Sequence, residues 1–339
     1  KKEVNGLEPI QAVMTLTQLT QQHRGLSAGV LAGNEAQAAA RQAKEAQVSQ
    51  ALATAHAALV PLGSPPLLEL ATRITQDWKA LSGAVAAKSL AGPESFTRHT
   101  ALIADQMSLT EDISNRVGIA LDPTEAGYFL QAAVLQHMPR VTEGLGQIRA
   151  RGSALLVRGN AAPEDKVRIE MLGVSIRASQ AAARKAVDLA AAANPALKGS
   201  VAEALNKAIA ATDEGLRLVD EKIVRADALN YPAPEYFAAM TKSIDVQFEL
   251  ITAAFGSLRN QLNATVAHAQ WQLALACALI AILSACAVWI MVVVIHTTNA
   301  SVQRALELAQ GVAAGDLGQT IVADSDDEMG HLLVALAEM

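Results

Sequence analysis

Three arginines set among small residues carry the most chemical promise in this chain. Arg24 follows His23, precedes Gly25 and has Ser27 one helical turn further on. A cation, a hydroxyl and a closely approachable backbone therefore share one neighbourhood. Arg149 and Arg151 flank Ile148 and Gly152 in the same way. A guanidinium is a planar fork of donors and suits a small anion, such as nitrate or a carboxylate. Arg24, Ser27, Arg149 and Arg151 are accordingly the candidate ligand-binding residues. By helical spacing, each arginine faces either a ligand or solvent.

Nothing else is arranged for catalysis. None of the seven histidines, His23, His56, His99, His137, His268, His296 and His331, falls in an HExxH-type spacing. The only cysteines, Cys277 and Cys286, sit within an apolar run, and the glycines form no phosphate cradle. The expectation is a protein that is not an enzyme, with no cofactor and no metal. Tyr128, Phe129, Tyr231, Tyr236 and Phe237 lie near helix starts and are expected to pack in the core.

The elements that position these residues are expected to be helices. Apolar residues make up 51% of the chain and aromatic residues 3%, so alanine and leucine dominate, which favours helix over strand. Leu16, Leu19, His23, Leu26 and Val30 recur at 3,4 spacing, as do Met138, Val141, Leu145, Ile148, Gly152 and Leu155. Breaks at Gly33-Asn34, Pro61 to Pro66, Ala91 to Pro93, Leu121 to Pro123, Gly159-Asn160, Asn194-Pro195 and Asn230 to Glu235 predict eight helices before residue 270. Asp122 or Thr124 can cap the fifth, and Pro139 should bend it. Arg24 to Asn34 is echoed by Arg151 to Asn160, which suggests a duplication of 3–121 in 122–270.

Leu273 to Ile295 is 23 residues without a charge. At 1.5 Å per residue it is long enough for a hydrocarbon core of roughly 30 Å, so 271–296 reads as a transmembrane helix. The net charge of -6 carries no nucleic-acid footprint. The chain begins Lys-Lys-Glu and stops at Met339 within a helical pattern, so a preceding membrane helix and a following output domain are expected in the full protein.

Beyond the apolar run, Val302, Ala305, Ala309 and Val312 are spaced 3,4,3, then come Gly315 and Asp316, and Met329, Leu332, Leu336 and Met339 resume the 3,4,3 spacing, with Glu328, Gly330 and Leu333 as further candidate relay residues. Leu308 to Met339 resembles the HAMP signal-relay module of bacterial receptors, through Gly315 to Leu317 and Asp327 to Gly330. That resemblance implies a dimeric parallel coiled coil over 297–339 on the cytoplasmic side. The last residues resemble methyl-accepting chemotaxis receptors. Gln21 to Asn34 is similar to the signature of nitrate- and nitrite-sensing domains, which implies two four-helix bundles and an anion held by arginine. Arg24 matches the signature arginine, Gly25 to Gly29 match the residues after it, and His23 stands where that signature has glutamate. Leu121 to Gly152 resembles the middle of chemoreceptor sensory domains.

Together these features read as an all-α chemoreceptor of the bacterial inner membrane. Residues 1–270 would form two four-helix-bundle units in the periplasm, sensing a small anion directly or through a binding protein. The expected partners are a second copy, a receptor array, a coupled kinase and a coupling protein, with no nucleic acid. The alternatives are the sensory part of a histidine kinase or nucleotide cyclase, and a ligand-free membrane-anchored helical spacer.

Overall fold

The computed structural model describes residues 2–121, 124–315 and 328–337. All its regular elements are helical: α1 (Lys2–Leu31), α2 (Ala38–Leu59), α3 (Pro65–Ala86), α4 (Gly92–Val117), α5 (Glu125–Gln131), α6 (Met138–Arg158), α7 (Pro163–Ala193), α8 (Leu197–Val219), α9 (Ala233–Ala313) and α10 (Glu328–Ala337), with short 3-10 and π turns between some of them. Local chemistry sets the ends. Thr124 caps α5, its Oγ1 accepting the Gly127 N–H at 3.1 Å. Asp122, the other expected cap, lies outside the described residues. Gly159 takes φ +72 just past α6, where its N–H closes the last turn on the Leu155 carbonyl at 2.9 Å.

Pro139 stands just after a widened turn of the helix. The chain between α5 and α6 widens into a π turn, Ala132–His137, directly before the proline. Proline lacks an N–H and crowds the carbonyl four residues back, and a π turn is a way to absorb that without breaking the rod.

Residues 1–266 form one compact unit and 267–339 another. Inside the first unit, the larger apolar cluster takes Ile10 of α1, Leu59 of α2, Trp78 of α3 and Ile113 of α4. It also takes Leu130, Val187, Val201 and Leu258 from α5, α7, α8 and α9. A smaller cluster joins α6 with parts of α7, α8 and α9 through Leu145, Ile176, Leu216 and Met240. The expected two four-helix-bundle units, each with its own core, are therefore corrected. Helices from both halves of the chain fill the larger core, because α5, the last part of α7, the first part of α8 and residues 250–262 of α9 all join it.

In the second unit, the apolar run lies on α9 with its side chains exposed. By length and composition, α9 is the one helix among the described residues long and apolar enough to cross a membrane. The expected coiled-coil relay is corrected too. Val302 and Ala309 are exposed and Ala305 half-buried near the end of α9, and no seam forms on them among the described residues. Gly315 follows with φ +85, Asp316 lies outside the described residues, and Glu328, Gly330 and Leu333 belong to α10.

Candidate functional site

Two of the candidate arginines meet where α1 crosses α6, and the crossing is built on glycine. A Cβ on Gly25 of α1 would lie 3.0 Å from Nη2 of Arg149, and one on Gly146 of α6 would lie 2.9 Å from Nη2 of Arg24. Each guanidinium thus lies against a glycine of the opposite helix. Both side chains are almost wholly buried, at 1% exposure for Arg24 and 2% for Arg149, so the solvated reading does not hold for either.

Their partners differ. Arg24 makes a two-pronged ion pair with Glu143 of α6, Nη1 to Oε1 at 2.6 Å and Nη2 to Oε2 at 3.0 Å, and donates to Thr100 Oγ1 of α4 at 2.9 Å. Among the described residues Arg149 finds only neutral acceptors, Thr241 Oγ1 of α9 at 2.8 Å and the Gln21 carbonyl of α1 at 3.3 Å. Its face lies 4.7 Å from the Phe237 ring centroid. Burial first, then the charge of Arg24, pull its pKa down to about 10, so it stays protonated at neutral pH. Asp245 of α9 acts on it at longer range and is itself raised by burial. The Nε atoms of Arg24, Arg149 and Arg151 are buried without hydrogen-bond partners among the described residues.

Arg151 stands further out. It is half-buried, lies 4.4 Å from the Phe96 centroid, and is lowered by burial and by Arg168. Ser27 is fully buried but turns to a different group, its Oγ 3.3 Å from Nδ1 of His23. A cleft of about 310 Å³ opens beside the crossing, lined by Gly25, Gln37, Ser153 and Phe237 among others. Gly25 and Phe237 are the two residues Arg149 lies against. The cleft also holds the unpartnered Gln37 Oε1 and Ser153 Oγ.

Behind Arg24 runs a buried imidazole chain. His99 Nδ1 is 2.7 Å from the Ser95 carbonyl, which can only accept, so that nitrogen carries the proton. His99 Nε2 then accepts from His23 Nδ1 at 2.9 Å, and His23 Nε2 is left facing Arg41 Nη1 at 3.4 Å. Burial is the main cause holding both histidines below their ordinary range, and the neighbouring cations add to it.

Reasoning from sequence missed Glu143, Thr100, Phe96 and Thr241, and took Phe237 for core packing. The available signal was Glu143 itself, a carboxylate between stripe positions Val141 and Leu145 of a helix that also bears Arg149 and Arg151. Tyr236 is core, fully buried with its hydroxyl donating to the Ile148 carbonyl at 3.1 Å, whereas Tyr128 is exposed.

The profile of a family described as nitrate and nitrite sensing matches residues 15–273, about three quarters of the chain. The chain belongs to the nitrate and nitrite sensing family. Every residue of the α1–α6 crossing falls within the matched stretch. This family member shares its fold with a solved structure of the NasR transcription antiterminator, at TM-score 0.60 and 21% identity, over 78% of this chain and 70% of that one. No curated protein matches it.

These findings correct the receptor reading. The matched family is a sensing family, and the solved structure that shares the fold is a transcription antiterminator, not a methyl-accepting chemotaxis receptor with a HAMP module. The match ends at residue 273 and does not reach the relay residues. The orientation, with 1–270 in the periplasm and 297–339 in the cytoplasm, rested on that module, because Arg259 and Arg304 gave no charge bias, and the inner-membrane receptor placement is withdrawn along with the receptor array, kinase and coupling protein. The exclusion of nucleic acid is withdrawn as well. It rested on whole-chain net charge, which says little about one local surface, and the fold is that of a transcription antiterminator. The matched family is described by what it senses and not by a reaction.

Proposed function

We propose that this chain senses nitrate or nitrite, bound at the α1–α6 crossing with Arg149 as the principal cation. The observation that carries the reading is Arg149 itself, a guanidinium at 2% exposure with no ion pair among the described residues. A buried charge without a counter-charge is costly, by several kcal/mol, and a bound anion removes that cost. The family description supplies the ligand, and the glycine-lined crossing and adjoining cleft supply the space. Nitrate is planar and accepts two parallel hydrogen bonds from one guanidinium, which favours a planar fork over the point charge of lysine. The ligand would bring together α1, α6 and α9, since Gln21, Arg149 and Thr241 sit on those three helices.

Thermal denaturation of the full chain in sodium nitrate against sodium chloride, at equal ionic strength, tests this. At one hundred times Kd, nitrate should stabilise the fold by about 2.7 kcal/mol. Arg149→Gln should leave the ligand-free protein equally or more stable, because an uncompensated charge is gone, and should abolish the nitrate shift. A folded Arg149→Gln protein that still responds to nitrate would remove the site from this crossing.

A further inference from the structure

The charges around the crossing do not balance, and the imbalance is a single unit. Glu143 accepts four hydrogen bonds: Arg24 Nη1 at 2.6 Å, Arg24 Nη2 at 3.0 Å, Gln21 Nε2 at 3.0 Å and Gln147 Nε2 at 2.9 Å. Both its oxygens are saturated, and Arg24 is neutralised. Among the described residues Arg149 is left with neutral hydrogen-bond partners only. Gln21 joins the two halves: its side chain serves Glu143 while its backbone carbonyl serves Arg149. The remaining charges nearby, half-buried Arg151 and exposed Asp245, reach water, which screens them.

We infer that Glu143 is the charge-selecting residue of the site: by compensating Arg24, it leaves one buried positive charge, so the crossing admits a monoanion and rejects a dianion. This rests on the proposed anion site and adds the rule by which that site would choose. With a monoanion on Arg149, the buried groups sum to zero. A dianion would leave a net negative charge beside the Glu143 carboxylate, away from water, where like charges repel strongly. In Glu143→Gln the amide keeps the volume and one acceptor oxygen, but two guanidiniums then lack a carboxylate, and a dianion becomes the matching ligand.

Perchlorate and sulfate make the test, because they share a tetrahedral shape and differ in charge. Nitrate, perchlorate and sulfate are titrated into the full chain by calorimetry at constant ionic strength. The wild-type protein should bind nitrate and perchlorate and disfavour sulfate by about 100-fold or more, since each tenfold step is about 1.4 kcal/mol. Glu143→Gln should gain at least about tenfold in sulfate affinity relative to perchlorate. Wild-type protein that takes sulfate as readily as perchlorate, or refuses both tetrahedral ions while binding nitrate, overturns the inference, and so does a folded Glu143→Gln protein with no gain for sulfate. The wild-type comparison decides even if the variant does not fold. Absence of nitrate binding in the wild type would instead sink the anion site itself.

Discussion

His23 and His99 make the site sensitive to acid through the fold rather than through the ligand. Both are neutral and buried, with pKa values held below the ordinary value of 6.5 mainly by burial. The unfolded chain therefore takes up protons below about pH 6.5 that the folded chain refuses, so stability rises with pH across that interval. The neutral pair's contribution is fully present above pH 6.5 and is lost progressively as pH falls towards the folded values. Chemical denaturation of the full chain should show roughly 2–4 kcal/mol lost between pH 7 and 4.5, within the range such shifts support. His99→Gln should be less stable at pH 7 and show a flatter slope over that interval. An unchanged slope in a folded variant would mean that carboxylates govern the acid response instead. None of this pairing was legible beforehand, since His23 and His99 lie 76 residues apart and Arg24 and Glu143 lie 119 apart. Spacing reports which residues share a face of one helix, and is silent about what a second helix brings to that face.

At the scale of one helix, much was legible, because its causes are local. Gly159 past α6, Pro163 at the start of α7 and Thr124 before α5 act within one turn of chain, and each sits at an observed helix end. Glycines within α6 are a different matter, since their role depends on the neighbouring helix. A Cβ at Gly152 would fall on the hydroxyl and ring of Tyr236, which is fully buried and tied to the Ile148 carbonyl. Gly152→Ala should therefore lower stability by roughly 1–3 kcal/mol. At Gly173 of α7 the nearest atoms would be 3.9 Å away, so Gly173→Ala should raise stability by roughly 0.5–1 kcal/mol through reduced unfolded-state freedom. Urea denaturation of the two variants side by side checks the pair. If Gly152→Ala matched the wild type, the Tyr236 packing would not be as close as described.

Taken as a molecule, the first unit should melt as one body, because its larger core draws on α1 to α4 and on the later helices alike. Calorimetry on Leu109→Ala of α4 and Leu258→Ala of α9 should show the same single transition shifted down in both, each by about 2–5 kcal/mol. Two transitions moving independently would restore separate bundles. That sharing could not be read from the repeat of Arg24 to Asn34 in Arg151 to Asn160, because a resemblance between segments does not say whose core they fill. The π turn at Ala132–His137 sits where the rod passes from one core to the other: Leu130, Val134 and Leu135 serve the larger, and Val141, Leu145 and Ile148 the smaller. One surplus residue in a helix advances everything after it by about 100° of rotation. The turn is thus a phase adjuster that lets a single rod aim at two targets. Excising one residue from it would let the rod run true, and would swing Glu143 and Arg149 together by that same angle of about 100°, off Gly25 and the partners they were aimed at.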